Sequence, residues 1–371
     1  MKEISDLHHE AMSLLDKVWV VRQERQTDVA NILLRRAYEC ERKAALLAAP
    51  NAELEPTRSV LCRSAASLAL ECGEFREAER LASLALSGSP PEEIAQELRD
   101  LLEQVYFERH LSLRGITLDP NEFQVSMAGQ AVGSGMTNSA QFIDRVKNIE
   151  STVYRTGERL SGFPYREHGR LEARFQKGIE VYVSAPRPSS FAISFRIGRG
   201  EQLKLPGMDP AQQIIDELFE CLELFNSSKT DLLGKKIEDP AYYRNFVGLA
   251  RNIAPDGEEI KAVGFAAIRN KVERQVALTI TRKQAPISEP KTIREEKEAV
   301  IKVTGKLLFA DARKEKGEIQ IVDGKGKGHR VRVPEGMMSD IVRPLWEYRV
   351  TVTGTFRDKK IYLQDIEKLV E

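Results

Sequence analysis

Between Glu55 and His110 the chain specifies its small residues and its turns more tightly than anywhere else. Ala65, Ala66, Ala78 and Ala85 have the placement that lets two antiparallel helices approach closely, and Leu68, Leu81 and Leu86 fill the seam. Gly73 supplies the turn between the two helices and Phe75 an aromatic plug. Pro90-Pro91 suits the start of a third helix, because the first helical positions need no amide. Ile94, Leu98, Leu101, Leu102 and Val105 then give that helix one apolar stripe. The expected local fold is a helical hairpin covered by a third helix.

Two more helices are expected before it. Leu7, Ala11, Leu14, Leu15 and Val18 form a stripe that ends near Arg22, and Thr27 or Asp28 is placed to cap a second helix running to about Ala49. Ala30, Leu33, Leu34, Ala37, Ala44 and Ala45 are its packing residues.

Gly73, Phe75, Ala78, Ala85 and Pro90 stand where a tetratricopeptide repeat has its turn glycine, aromatic plug, small residues and closing proline, so this stretch resembles one such repeat. The step from Ala30 to Ala37 repeats that from Ala78 to Ala85, but at an offset of 48 residues, against about 34 in a tandem array. The resemblance implies a groove lined from the first helix of the pair by Arg63, Ser67 and Leu70, suited to an acidic peptide or a terminal carboxylate. The block is also similar to helical N-termini of uncharacterised bacterial proteins, which implies no chemistry.

The length of 371 residues predicts two to three domains. Lys+Arg and Asp+Glu each total 56, so no basic field covers the whole chain, although the part after Pro290 leans basic by about +4. Cys40, Cys62, Cys72 and Cys221 form no CxxC pair and are too few for a disulfide framework, which points to a reducing cytosol. No run approaches the roughly 18 apolar residues of a membrane helix and no signal peptide is recognisable, so a soluble cytoplasmic protein is expected.

The expected division is a helical domain at 1–119, an α+β domain at 120–290 and a small barrel at 291–371. In the second, Phe123, Val125 and Met127 alternate with Gln124, Ser126 and Ala128 as in a half-buried strand. The following GQAVGSG lacks the Lys-Ser/Thr of a Walker loop and the glycine order of a dinucleotide fingerprint, so it reads as a hairpin turning near Ala128-Gly129 and returning through Ala131 and Val132. Strands at 179–183 and 190–197, helices at 209–225 and 240–253, and strands near 260–268 and 274–281 complete a mixed order that predicts α+β architecture. Tyr165, Arg166, Glu167 and His168 are the most tempting polar cluster, yet neighbours on a strand face opposite ways and His168 reads as structural. Cys221 sits on an apolar helix face, where a thiol behaves as a small hydrophobe.

From Val300 the order is three strands (300–310, 319–322, 330–333), a helix (337–346) and two strands (349–356, 361–363), which resembles an OB-fold barrel. Such barrels often bind single-stranded nucleic acid or oligosaccharide across their second and third strands, and here Lys325, Lys327, His329, Arg330 and Arg332 supply charge there. The aromatics Phe309, Phe356 and Tyr362 lie on other strands, and the GKGKGH loop is no Walker motif. His8 and His9 lack the spacing of a zinc site, and neither a metal nor another cofactor is expected. The functional expectation is a non-enzymatic adaptor for a protein or peptide, by association a component of a bacterial defence or toxin–antitoxin assembly. The alternative is a single-stranded nucleic-acid binder acting through the barrel.

Overall fold

The computed structural model describes residues 2–23, 26–111, 118–129, 132–133, 136–167, 178–184, 191–198, 210–269, 272–287, 300–311, 317–357 and 360–369. The chain forms two compact units, Met1–Arg114 and Gly115–Glu371. Among the described residues no helix is long and apolar enough to cross a membrane.

The first unit consists of α1 (Lys2–Gln23), α2 (Thr27–Ala48), α3 (Thr57–Glu71), α4 (Phe75–Leu86) and α5 (Glu92–Leu111). Each helix packs on the next, and α3 also touches α5. Ala65, Ala66, Ala78, Ala85, Ala30 and Ala37 are all buried, as their spacing requires. Gly73 adopts φ +75°, and the Glu74 amide reaches back to the Ala69 carbonyl (2.8 Å), closing α3 in the manner of a left-handed cap. The expected cap of α2 is not made: Gln26 precedes the helix, its side chain bonds no helix amide, and Thr27 is already the first helical residue. The Gln26 amide instead bonds the Val21 carbonyl (3.2 Å), so the backbone itself holds the reversal.

Polar side chains pin the helices together. Glu41 is fully buried, and His8 Nδ1 of α1 lies 3.1 and 2.9 Å from its two oxygens. Glu77 accepts from Arg80 (2.6 and 2.8 Å) and Arg42 (2.5 Å), and these bonds hold its carboxyl at about 2. Because Ala78 has no exposed surface, Ala78→Leu must push α4 off its neighbours. A cost of about 1–3 kcal/mol is expected, read as a lower thermal midpoint. A midpoint equal to the parent's would show that the seam can open around the larger side chain.

The second unit holds a five-stranded antiparallel sheet in the order β4-β5-β1-β6-β7, built from β1 (Glu122–Ala128), β4 (Val181–Val183), β5 (Phe191–Ile197), β6 (Ala262–Arg269) and β7 (Val272–Leu278). The two-residue strands β2 (Val132–Gly133) and β3 (Met136–Thr137) pair only with each other. The hairpin expected after β1 is therefore not formed; β1 is flanked by β5 and β6 on its two edges. That central position also corrects the half-buried reading, since Gln124 and Ser126 are as buried as Phe123 and Val125. Gly129, at φ +148°, is the residue that permits the exit: a Cβ there would collide with the backbone at Glu259 and Lys261.

Helices α6 (Ser139–Leu160), α7 (Pro210–Asn226) and α9 (Pro240–Ile253) share a core with this sheet, and the short α8 (Thr230–Lys236) precedes α9. Phe123 stacks on Phe195 at 5.1 Å between ring centres, and Phe219 of α7 closes the cluster edge-on. Asn138 and Asp239 cap α6 and α9 by accepting bonds from amides of their first turns.

From Val300 five strands close into a ring: β8 (Val300–Asp311), β9 (Glu318–Val322), β10 (Gly328–Arg332), β11 (Arg349–Arg357) and β12 (Lys360–Lys368). Neighbours run in the order β10-β12-β11-β8-β9, with β9 returning to β10, and all pairs are antiparallel except β10 with β12. A wide helical turn, Met338–Val342, and a tight one, Arg343–Leu345, lie between β10 and β11. Leu249 of α9 belongs to the ring's core, so this helix of the α+β body packs against the ring.

Candidate nucleic-acid interface

β8 serves two neighbours in succession: its first half pairs with β11 and its second half with β9, and a bulge between Leu307 and Phe309 turns it. The bulge brings two successive residues, Leu308 and Phe309, to the outside of the ring, where both are half exposed. Registration then aligns Phe309 with Gln320 of β9, and Gln320 with Arg330 of β10. An aromatic, an amide and a guanidinium thus stand side by side on three strands, about 4.8 Å from one strand to the next. Sequence alone left Phe309 on the wrong strand for this purpose; the bulge is what makes it a neighbour of β9.

The hairpin between β9 and β10 carries Lys325 and Lys327 into solvent. It is a built turn. Asp323 Oδ1 accepts the amides of Lys325 (2.9 Å) and Lys327 (3.0 Å), the Gly326 amide bonds the Asp323 carbonyl (3.0 Å), and Gly326 takes φ +79°. His329 Nε2 lies 2.9 Å from Asp323 Oδ2, and that bond, with the Lys327 amide, holds the Asp323 carboxyl down at about 2. His329 is accordingly a part of the turn.

Arg332 occupies a different environment. Its row runs through Glu318 to Asp311, so carboxylates on the neighbouring strands offset its charge, while Tyr362 of β12 aligns with it on the other side. Of the five charged candidates, Lys325, Lys327 and Arg330 face solvent around one patch, whereas His329 and Arg332 are held among acidic partners.

The helical candidates lie on α3, which is hemmed in by α2, α4 and α5. Arg63 pairs with Glu97 of α5, Leu70 packs against the helical core, and Ser67 is half-buried between them. A ligand carboxylate at Arg63 would have to displace Glu97.

Two members of the 165–168 cluster, Tyr165 and Glu167, join the segment before β11 to the α+β body, Arg166 bonds within that body, and His168 lies outside the described residues. Tyr165 donates its hydroxyl to the Gly336 carbonyl (3.2 Å), Glu167 accepts the amides of Gly336 (2.6 Å) and Ser339 (3.2 Å), and Arg166 pairs with Glu158 (2.6 Å). Arg155 adds an ion pair to Asp340 (2.7 Å) and lies 4.6 Å from the Tyr165 ring centre. Burial pushes the Tyr165 hydroxyl far above its ordinary value, so it stays protonated and donates. Burial likewise raises the Cys221 thiol to about 12, with Glu217 beside it, a poor setting for a nucleophile. Among the described residues no group of three His, Cys, Asp or Glu side chains is arranged to hold a metal ion.

No protein-family model matches the chain, and neither a curated protein nor a solved structure matches it.

Proposed function

We propose that this protein binds single-stranded nucleic acid on the outer face of β8, β9 and β10. The observation that carries the reading is the row Phe309–Gln320–Arg330 beside Lys325 and Lys327. An exposed ring offers a stacking surface to any base, and cations around it offset phosphate charge. The ring's strand order and its single parallel pair support an OB-type reading of this domain, in which the second and third strands form the usual binding face.

The test is a fluorescence-anisotropy titration of the full chain with mixed-sequence single-stranded RNA and DNA at two salt concentrations. Binding should weaken with salt, and Lys325→Ala, Lys327→Ala and Arg330→Ala should each lower the salt slope by about 0.7. Phe309→Ala should cost about 1–3 kcal/mol of affinity. A flat titration would sink this reading.

A second reading, a protein-binding adaptor acting through a tetratricopeptide-like helical unit, is favoured by a different observation. Trp19 and Val20 near the end of α1, and Val29 and Ile32 near the start of α2, are large apolar side chains left in solvent. Both readings can hold in one chain, since they use different units.

A further inference from the structure

We infer that Gln320 reads base edges and gives the β8–β9–β10 face a preference for purines; the inference rests on the reading just given. Ile319 and Ile321, on either side of it in sequence, fill the core of the ring, so the Gln320 side chain leaves by the outer face, where it is half-buried. Registration sets it between Phe309 of β8 and Arg330 of β10. Its head group has one carbonyl acceptor and an amino donor, and among the described residues neither makes a hydrogen bond. A half-buried amide without partners gains by meeting a complementary pair of groups on a ligand.

Gly328 makes room for that head group. It pairs with Val322, two residues from the Arg330–Gln320 pair, and a Cβ on it would lie 2.1 Å from Gln320 Nε2. The hairpin turn does not need this glycine, because Gly326 is the residue that takes the positive φ and Gly328 is already a paired residue of β10. No carboxylate stands in the Phe309–Gln320–Arg330 row. Asp311 and Glu318 lie one row along, beside Arg332, with Lys360 Nζ 3.9 Å from Glu318 Oε1, and Asp323 is tied into the turn. A base stacked on Phe309 turns one edge toward β9 and meets the Gln320 amide before it meets Arg330. Adenine offers such an amide a donor beside an acceptor, N6 with N7, and guanine offers O6 with N1–H. The fused rings of a purine reach further toward β9 than the single ring of a pyrimidine, which leaves the amide unmatched.

The experiment titrates the full-length protein by anisotropy with end-labelled oligodeoxyadenylate and oligothymidylate of equal length, at two salt concentrations, and reads the ratio of the two affinities. Both probes report on the same protein sample, so the ratio is insensitive to a partial loss of fold. Gln320→Leu keeps the size of the side chain and removes its hydrogen-bonding groups. It should lower the adenine-to-thymine ratio about 5- to 150-fold and leave the affinity for oligothymidylate near the parent's. Gly328→Ala should lower the ratio in the same direction, and should add nothing in the Gln320→Leu background, because it acts only by displacing the amide. A ratio unchanged by Gln320→Leu overturns the inference and leaves the Phe309 surface standing. An equal loss for both probes would make Gln320 a general contact and also overturn it. If neither probe binds at either salt, the inference and the reading beneath it fall together.

Discussion

Asp365→Ala is expected to cost the second unit about 3–5 kcal/mol, because it strands a buried guanidinium. Arg251 of α9 is 4% exposed and donates to Asp365 Oδ2 (2.8 Å) and to the carbonyls of Ala285 (2.5 Å) and Pro286 (3.2 Å). A second, half-buried cation lies close by: Arg282 donates to the Ile366 carbonyl (2.9 Å), and desolvation depresses its guanidinium below the ordinary value. Without Asp365, Glu367, at 3.9 Å from Arg251 and 3.6 Å from Arg282, is the carboxylate that remains among the described residues to balance two positive charges. Chemical denaturation of the parent and the variant measures the difference. Replacing both partners by apolar residues, as in Arg251→Met with Asp365→Leu, should recover most of the loss, since a missing pair is far less harmful than half of one. A loss below about 1 kcal/mol for Asp365→Ala would mean that water reaches Arg251 and solvates it.

The parts of this fold that were legible in the sequence are those set by local periodicity. The alanine steps of α3 and α4, the apolar face of α7 and the strand–helix–strand order of the ring all follow from spacings of two, three and four residues, which a single element imposes on its own side chains. What periodicity cannot report is the partner across a sheet. Gln124 and Ser126 look solvent-facing in a one-strand reading, and only the placement of β1 between β5 and β6 buries them. The same limit applies to the candidate site. Arg330 is visible as a charge, but its alignment with Phe309 depends on a bulge between Leu307 and Phe309 of β8, and bulges leave little trace in a residue pattern. Tyr165, Arg166 and Glu167 illustrate the reverse case. They look like chemistry because they are polar and clustered, but Tyr165 and Glu167 join two layers and Arg166 pairs with Glu158 of α6.

That joint makes the second large prediction. Gly336 adopts φ +99°, its amide donates to Glu167 Oε1 (2.6 Å), and its carbonyl accepts from Asn245 Nδ2 (2.9 Å) and the Tyr165 hydroxyl (3.2 Å). A Cβ at this position would collide with the Ala241 carbonyl at the start of α9 and meet the Ala241 Cα at 3.1 Å. Both obstacles are backbone, so neither can be removed by a rotamer change, and Gly336→Ala must move the 335–340 segment away from α9. Backbone strain of about 1–3 kcal/mol and about 1 kcal/mol for each weakened hydrogen bond give an expected loss of about 3 kcal/mol or more. The loss should fall on the attachment of the ring, whose own ladder of strands does not pass through Gly336. Thermal unfolding of the variant should therefore separate into two transitions, and limited proteolysis should cut between Pro286 and Lys297 faster than in the parent, releasing a resistant fragment that begins near Val300. One cooperative transition at the parent's midpoint, with the parent's cleavage rate, would show that the Gly336 contact does not hold the ring to the α+β body.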